Sequence, residues 1–169
     1  FPRTKLIVIE NTHNRMGGAA LSAAYTDALG ELAHRYHLQV HLDGARIFNA
    51  AVALGVDAKE LTRGADSVCF CLSKGLACPV GSVLTGCQAF IAEARHYRKM
   101  VGGGMRQVGV LAAAGLVALR EMIDRLADDH ANARRLAEGL AEIPGIEVNL
   151  NSVQTNIVMF ELTSPKWTP

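Results

Sequence analysis

Net charge, aromatic rings and long apolar runs are all scarce in this sequence. Its 169 residues carry 17 Lys and Arg against 16 Asp and Glu, and aromatic side chains make up 5%. Nucleic-acid binders usually display a basic face or a stacking platform; here the two signs interleave along the whole chain, which argues against that class. The longest apolar run, Val108 to Leu119, has twelve residues including two glycines, short of the roughly 18 to 20 that cross a bilayer. A buried helix is expected there, and no membrane anchor. No basic start followed by an apolar stretch and a cleavage site opens the chain. The first residue is Phe1 and not Met, so the chain is expected to be an internal piece of a longer protein.

Cysteine is also sparse. Cys69, Cys71, Cys78 and Cys87 match neither a paired CxxC zinc site nor a disulfide framework, so no metal is expected and a reducing, cytoplasmic setting fits best. Cys69 and Cys71 alternate within an apolar run and are expected to share one face of a strand as small buried hydrophobes. What the chain does have is apolar mass: half its residues are hydrophobic, and a chain of this length buries roughly 70% of the surface it exposes when unfolded.

Hydrophobic patterning gives an α/β fold. Lys5 to Glu10 reads as a β-branched strand followed by a polar loop, Asn11 to Gly18. Apolar residues at four-residue spacing make Ser22 to His37 an amphipathic helix, and Gln39 to Asp43 alternates as a strand. Strand, helix, strand with short links is a right-handed crossover with parallel pairing. Helical pieces at Ile47 to Leu54 and Ala58 to Arg63 lead to a third strand, Ser67 to Cys71. The next candidate, Gly81 to Thr85, follows after only nine residues, too few for a parallel crossover, and is expected to run antiparallel. Helices are expected over Ala89 to Met100, Gln107 to Leu126 and His130 to Ile143, then strands over Ile146 to Leu150 and Asn156 to Leu162. A mostly parallel sheet with one antiparallel strand over residues 1–126 would therefore be followed by the start of a small α+β domain over 127–169.

In open α/β sheets, ligands gather at the carboxyl ends of the parallel strands. The loops there hold Asn11 and His13, then Asp43 and Arg46, then Ser73 and Lys74. A lone loop lysine is ordinarily a solvated surface group, and Asp43 before GARIFNAAV could be a helix cap. Together, an amine and a carboxylate above one sheet edge suit pyridoxal 5′-phosphate: the lysine forms a Schiff base with the aldehyde, and the acid keeps the ring nitrogen protonated. Arg46 could stabilise the ring phenolate or a substrate carboxylate.

The blocks ENTHN (Glu10 to Asn14), HLDGARIFNAAVALG (His41 to Gly55), LSKGLACPVGS (Leu72 to Ser82) and VGGGMRQ (Val101 to Gln107) closely resemble low-specificity L-threonine aldolases, in family order. The resemblance implies the large domain of the pyridoxal-phosphate fold type I and retro-aldol cleavage of a β-hydroxy-α-amino acid, such as threonine or allo-threonine, to glycine and acetaldehyde. It implies Lys74 as the Schiff-base lysine, Asp43 as the partner of the ring nitrogen, Arg46 beside the ring hydroxyl, and Arg106 near the phosphate or a subunit boundary. Ser73 and Asn11 are the remaining cofactor-binding candidates, and His13 is a candidate base for the β-hydroxyl proton. A homodimer or homotetramer is implied. The family's phosphate-binding turn and ring-stacking group would lie ahead of the ENTHN block, and its substrate-carboxylate arginine beyond Pro169. The alternatives are another lyase of the superfamily, β-eliminating or acting on phenylserine-type substrates, and a non-catalytic fragment that only self-associates.

Overall fold

The structure is a computed structural model that describes residues 2–165; the two ends of the expected domains, Phe1 and 166–169, lie outside the described residues. Four strands form the main sheet in the order β1 (Leu6–Glu10), β2 (Gln39–Asp43), β3 (Ser67–Cys71), β4 (Ser82–Gly86). β1, β2 and β3 pair in parallel, and β4 pairs antiparallel to β3, as the loop lengths require.

Alternation decides what each face of the sheet meets. Val40 and Leu42 of β2 are fully buried under α1 (Ala23–Arg35), α2 (Ile47–Leu54) and α3 (Ala58–Thr62). There Leu42, Ile47, Ala50, Leu61 and Val68 form one core cluster, with Phe48 set edge-on to Phe70 at 5.3 Å. The opposite face carries Val8, His41, Ser67, Cys69 and Leu84 in register. It is open over β1, where Leu6 and Val8 are 49% and 59% exposed.

Helices α4 (Gln88–Met100), α5 (Gly109–Glu121) and α6 (Leu126–Ala141) follow. The expectation of a buried helix over Val108 to Leu119 is corrected: α5 buries Gly115 and Ala118, while Val110 stays 67% exposed. Its small residues let Leu72 approach, since a Cβ on Gly115 would stand 3.1 Å from Leu72 Cδ1; the larger Leu116 and Val117 stay exposed. The expected helix limits also shift. α5 ends at Glu121 and α6 starts at Leu126, not His130, because Leu126 is drawn into a second core cluster with Leu72, Leu76, Cys78 and Ala118. The last two strands shrink to β5 (Ile146–Glu147) and β6 (Glu161–Leu162), an antiparallel pair.

Candidate active site

Asp43 ends β2 and stands in register with Cys69 of β3 on one side and Glu10 of β1 on the other. Its Oδ1 accepts the Ala45 N–H at 3.0 Å and the Cys69 thiol at 3.6 Å. Asp43 thus shapes the turn after β2. It does not cap α2, whose N-cap residue is Arg46 and has no side-chain cap. Among the described residues, none bonds Oδ2.

Lys74 follows β3 on a loop that is anchored on both sides. Leu72 donates its N–H to Gly81 O at 2.9 Å and accepts the Cys78 N–H at 3.0 Å, while the side chains of Leu72, Leu76 and Cys78 are buried. Ser73 and Lys74 are exposed, as are Ala77, Pro79 and Val80 further along the loop. The Lys74 ammonium donates to Cys71 Sγ at 3.5 Å, which turns it back toward the sheet. Cys69 and Cys71 lie two residues apart on one strand face, roughly 7 Å, so one thiol touches the carboxylate and the other the amine on the same face of β3.

The expectation that these cysteines are small buried hydrophobes is corrected on this point. Both are half-buried, and each touches a residue singled out for chemistry. Alternation along β3 puts positions 69 and 71 on one face, and the register of β2 against β3, which the sequence does not specify, makes it the face of Asp43. All four cysteines are free thiols. Burial first, and then the negative charge of Asp43, push the Cys69 thiol above its ordinary range; it stays an S–H donor.

The first loop contributes differently. Asn11 is fully buried, and both ends of its amide are used: Nδ2 donates to Leu21 O at 3.0 Å, and Oδ1 accepts the Leu21 N–H at 3.1 Å. His13 reaches over the same sheet edge, with Nε2 3.4 Å from Glu10 Oε2; its Nδ1 and the neighbouring Thr12 hydroxyl are buried without a hydrogen-bond partner. Arg46 is half-buried at the start of α2. Arg106 lies apart, in the exposed turn between α4 and α5, where no hydrogen bond or ion pair ties it to the strand-end loops. The structure therefore brings Asp43, Lys74, His13 and Arg46 to the carboxyl ends of β1–β3 and leaves Arg106 outside that group.

This donor set suits a pyridoxal phosphate ring. It presents a carboxylate oxygen free of protein partners and an amine on the loop after the neighbouring strand, and the loop after β1 holds two buried unpartnered polar atoms, Thr12 Oγ1 and His13 Nδ1. Among the described residues, no cluster of three or more His, Cys, Asp or Glu stands close enough to hold a metal ion, and no helix is long and apolar enough to cross a membrane.

Comparison with known proteins agrees with the architecture. The chain is 52% identical over 162 residues to low-specificity L-threonine aldolase 1 of Arabidopsis thaliana, covering 96% of the chain and 45% of that relative. It is 52% identical over 142 residues to the low specificity L-threonine aldolase of Escherichia coli O157:H7, covering 84% and 42%. The chain thus spans a little under half the length of the curated relatives it matches. A crystal structure from Exiguobacterium shares the fold at a TM-score of 0.83 and 24% identity, over 90% of this chain and 43% of the other. Leishmania major threonine aldolase shares it at 0.69 and 20%, over 89% and 44%. The α/β fold with one antiparallel strand is therefore that of these enzymes, and with residues 1–163 matched by the family described as Beta-eliminating lyase, the chain belongs to that family.

Proposed function

We propose that the protein carrying this chain binds pyridoxal 5′-phosphate and cleaves threonine-type β-hydroxy-α-amino acids to glycine and an aldehyde. The observation that carries the reading is the placement of Asp43 and Lys74 at the carboxyl ends of β2 and β3, each in contact with a thiol on the same face of β3. The identity to two threonine aldolases supports the substrate class.

When bound, the cofactor supplies the electron sink for the bond broken between Cα and Cβ. Lys74 would hold its aldehyde carbon and yield that position to the substrate amine. Asp43 would hold a proton on the ring nitrogen through Oδ2, an anion beside the nitrogen favouring its protonated form. Arg46, permanently charged, would stand by the ring hydroxyl or a substrate carboxylate. His13 would take the β-hydroxyl proton, and its contact with Glu10 orients the ring for that role. Ser73 would contribute a hydroxyl beside Lys74, and Asn11 would act by fixing the loop that carries His13. Arg106 we assign to the phosphate or to a neighbouring subunit.

The same reading makes residues 127–169 the beginning of a second domain, gives the protein a cytoplasmic location, and makes it a homodimer or homotetramer. Self-association is supported by the apolar side chains exposed at the end of α4 and in the turn after it, among them Met100, Val101 and Met105.

Borohydride reduction of the intact protein loaded with pyridoxal phosphate, followed by peptide mapping, should place a pyridoxyl group on Lys74. Lys74→Ala should abolish release of acetaldehyde from allo-threonine. A pyridoxyl group elsewhere, or activity retained in the variant, would overturn the assignment. Release of ammonia and a keto acid in place of glycine and aldehyde would point to β-elimination.

A further inference from the structure

We propose that Cys69 is a positioning residue for Asp43: its thiol and the Ala45 N–H hold Oδ1 so that Oδ2 is the oxygen presented to the cofactor ring. The inference rests on the pyridoxal phosphate reading above and adds to it a residue that touches neither cofactor nor substrate.

Three features of the strand ends support this role. Asp43 and Cys69 are register partners, so their side chains leave the sheet on the same face, and the thiol reaches Oδ1 at 3.6 Å. The main chain repeats the link, because Gly44 donates its N–H to Cys69 O at 2.8 Å. A side chain on Gly44 would press on that carbonyl, its Cβ standing 3.0 Å away. Cys69 thus grips the 43–45 turn with both its carbonyl and its thiol. On the other flank Glu10, the second carboxylate in register with Asp43, is turned to His13 and does not compete for the same donors.

The protonation state has the right sign. A thiolate would repel Asp43, whereas a thiol donates to it; burial and the adjacent carboxylate both favour the thiol. With two donors on Oδ1, rotation about the Cβ–Cγ bond that would exchange the oxygens breaks both bonds, so the free oxygen keeps its place.

The test uses the intact protein with Cys69→Ala, Cys69→Ser and Asp43→Asn. In the protein stripped of cofactor, the infrared S–H stretching band that disappears in Cys69→Ala should move to higher frequency in Asp43→Asn, as a thiol does on losing an anionic acceptor. Binding of pyridoxal phosphate, followed by fluorescence quenching, should weaken about 10-fold in Cys69→Ala, the effect of one hydrogen bond to a charged group. Cys69→Ser keeps an O–H donor and should recover affinity to within about 3-fold. An S–H band indifferent to Asp43→Asn, wild-type affinity in the alanine variant, or a serine variant no better than alanine would overturn the role. Failure of wild-type protein to bind pyridoxal phosphate would instead overturn the functional reading, while the infrared band would still decide the thiol–carboxylate contact.

Discussion

The side-chain amide of Asn49 donates to Nε2 of His130 at 3.1 Å, joining α2 to α6 just behind the Lys74 loop. Asn49 is buried, and a Cβ on Gly75 would stand 3.4 Å from its Oδ1. The amide donor needs an unprotonated Nε2, and burial lowers the His130 pKa, with the charge of Asp129 opposing more weakly. Because the folded value lies below the unfolded one, the unfolded chain takes up the proton first. The contribution is therefore complete above the ordinary value of 6.5 and is lost as pH falls through the lower, folded value. Thermal midpoints of the intact protein between pH 7.5 and 5 should fall more steeply in wild type than in His130→Gln, which offers an acceptor that does not titrate.

Asp66 ties the start of β3 to β2 and α1. Its Oδ2 accepts the Val40 N–H at 2.7 Å and lies 3.0 Å from His34 Nε2. Burial pushes this carboxyl up, but the hydrogen bonds with His34 and Val40 together outweigh burial and hold it below its usual value of 3.8. A depressed carboxylate stabilises the fold above its unfolded pKa, and that contribution is lost as pH falls through the folded value. Asp66→Ala leaves the Val40 N–H without its acceptor and should cost about 1–3 kcal/mol. His34→Ala removes an exposed partner and should cost no more than about 1 kcal/mol. Urea unfolding at neutral pH measures both.

Much of this architecture is legible in residue order. Gln39 to Asp43 and Ile47 to Leu54 coincide with β2 and α2 because period and boundary agree: alternation stops at the acid, and Gly55 ends the helix in the left-handed region with φ 66°. Asp43 is visible as the acid that ends an apolar strand, and Lys74 as the cation in the loop just after one. The break between α5 and α6 is not, since Met122 to Arg125 holds neither Gly nor Pro; it comes from burial of Leu126, a tertiary effect that local propensity does not contain. The thiol contacts were equally hidden, for they depend on the register of β2 against β3, which no single strand specifies.

Asn11 should behave as a clamp for the first loop. Its two hydrogen bonds with Leu21 satisfy both backbone groups of that residue ahead of α1. Asn11→Ala should lower unfolding stability by about 1–3 kcal/mol, leaving those groups and a buried gap. Asn11→Asp loses the Nδ2 donor while keeping the acceptor for the Leu21 N–H, and should also be destabilising. Denaturant midpoints rank the three proteins.

Gly30 in α1 and Gly64 after α3 give a case in which helix propensity and packing oppose each other. Alanine is ordinarily favoured over glycine inside a helix by about 1 kcal/mol. At Gly30, however, a Cβ would collide with the carbonyl oxygen and Cα of Gly64, and a Cβ at Gly64 would collide in turn with the Thr26 carbonyl. These are backbone atoms, which cannot rotate aside, and the Arg63–Asp27 ion pair holds the two segments together beside them. Overpacking of this kind costs about 1–3 kcal/mol or more, so it should exceed the propensity gain. Gly30→Ala is expected to be net destabilising, whereas Gly139→Ala in α6, where a Cβ meets nothing within 4 Å, should stabilise by about 0.5–1 kcal/mol. Opposite shifts in thermal midpoint for the same chemical substitution would show that contact with Gly64, and not helix propensity, decides the residue at position 30.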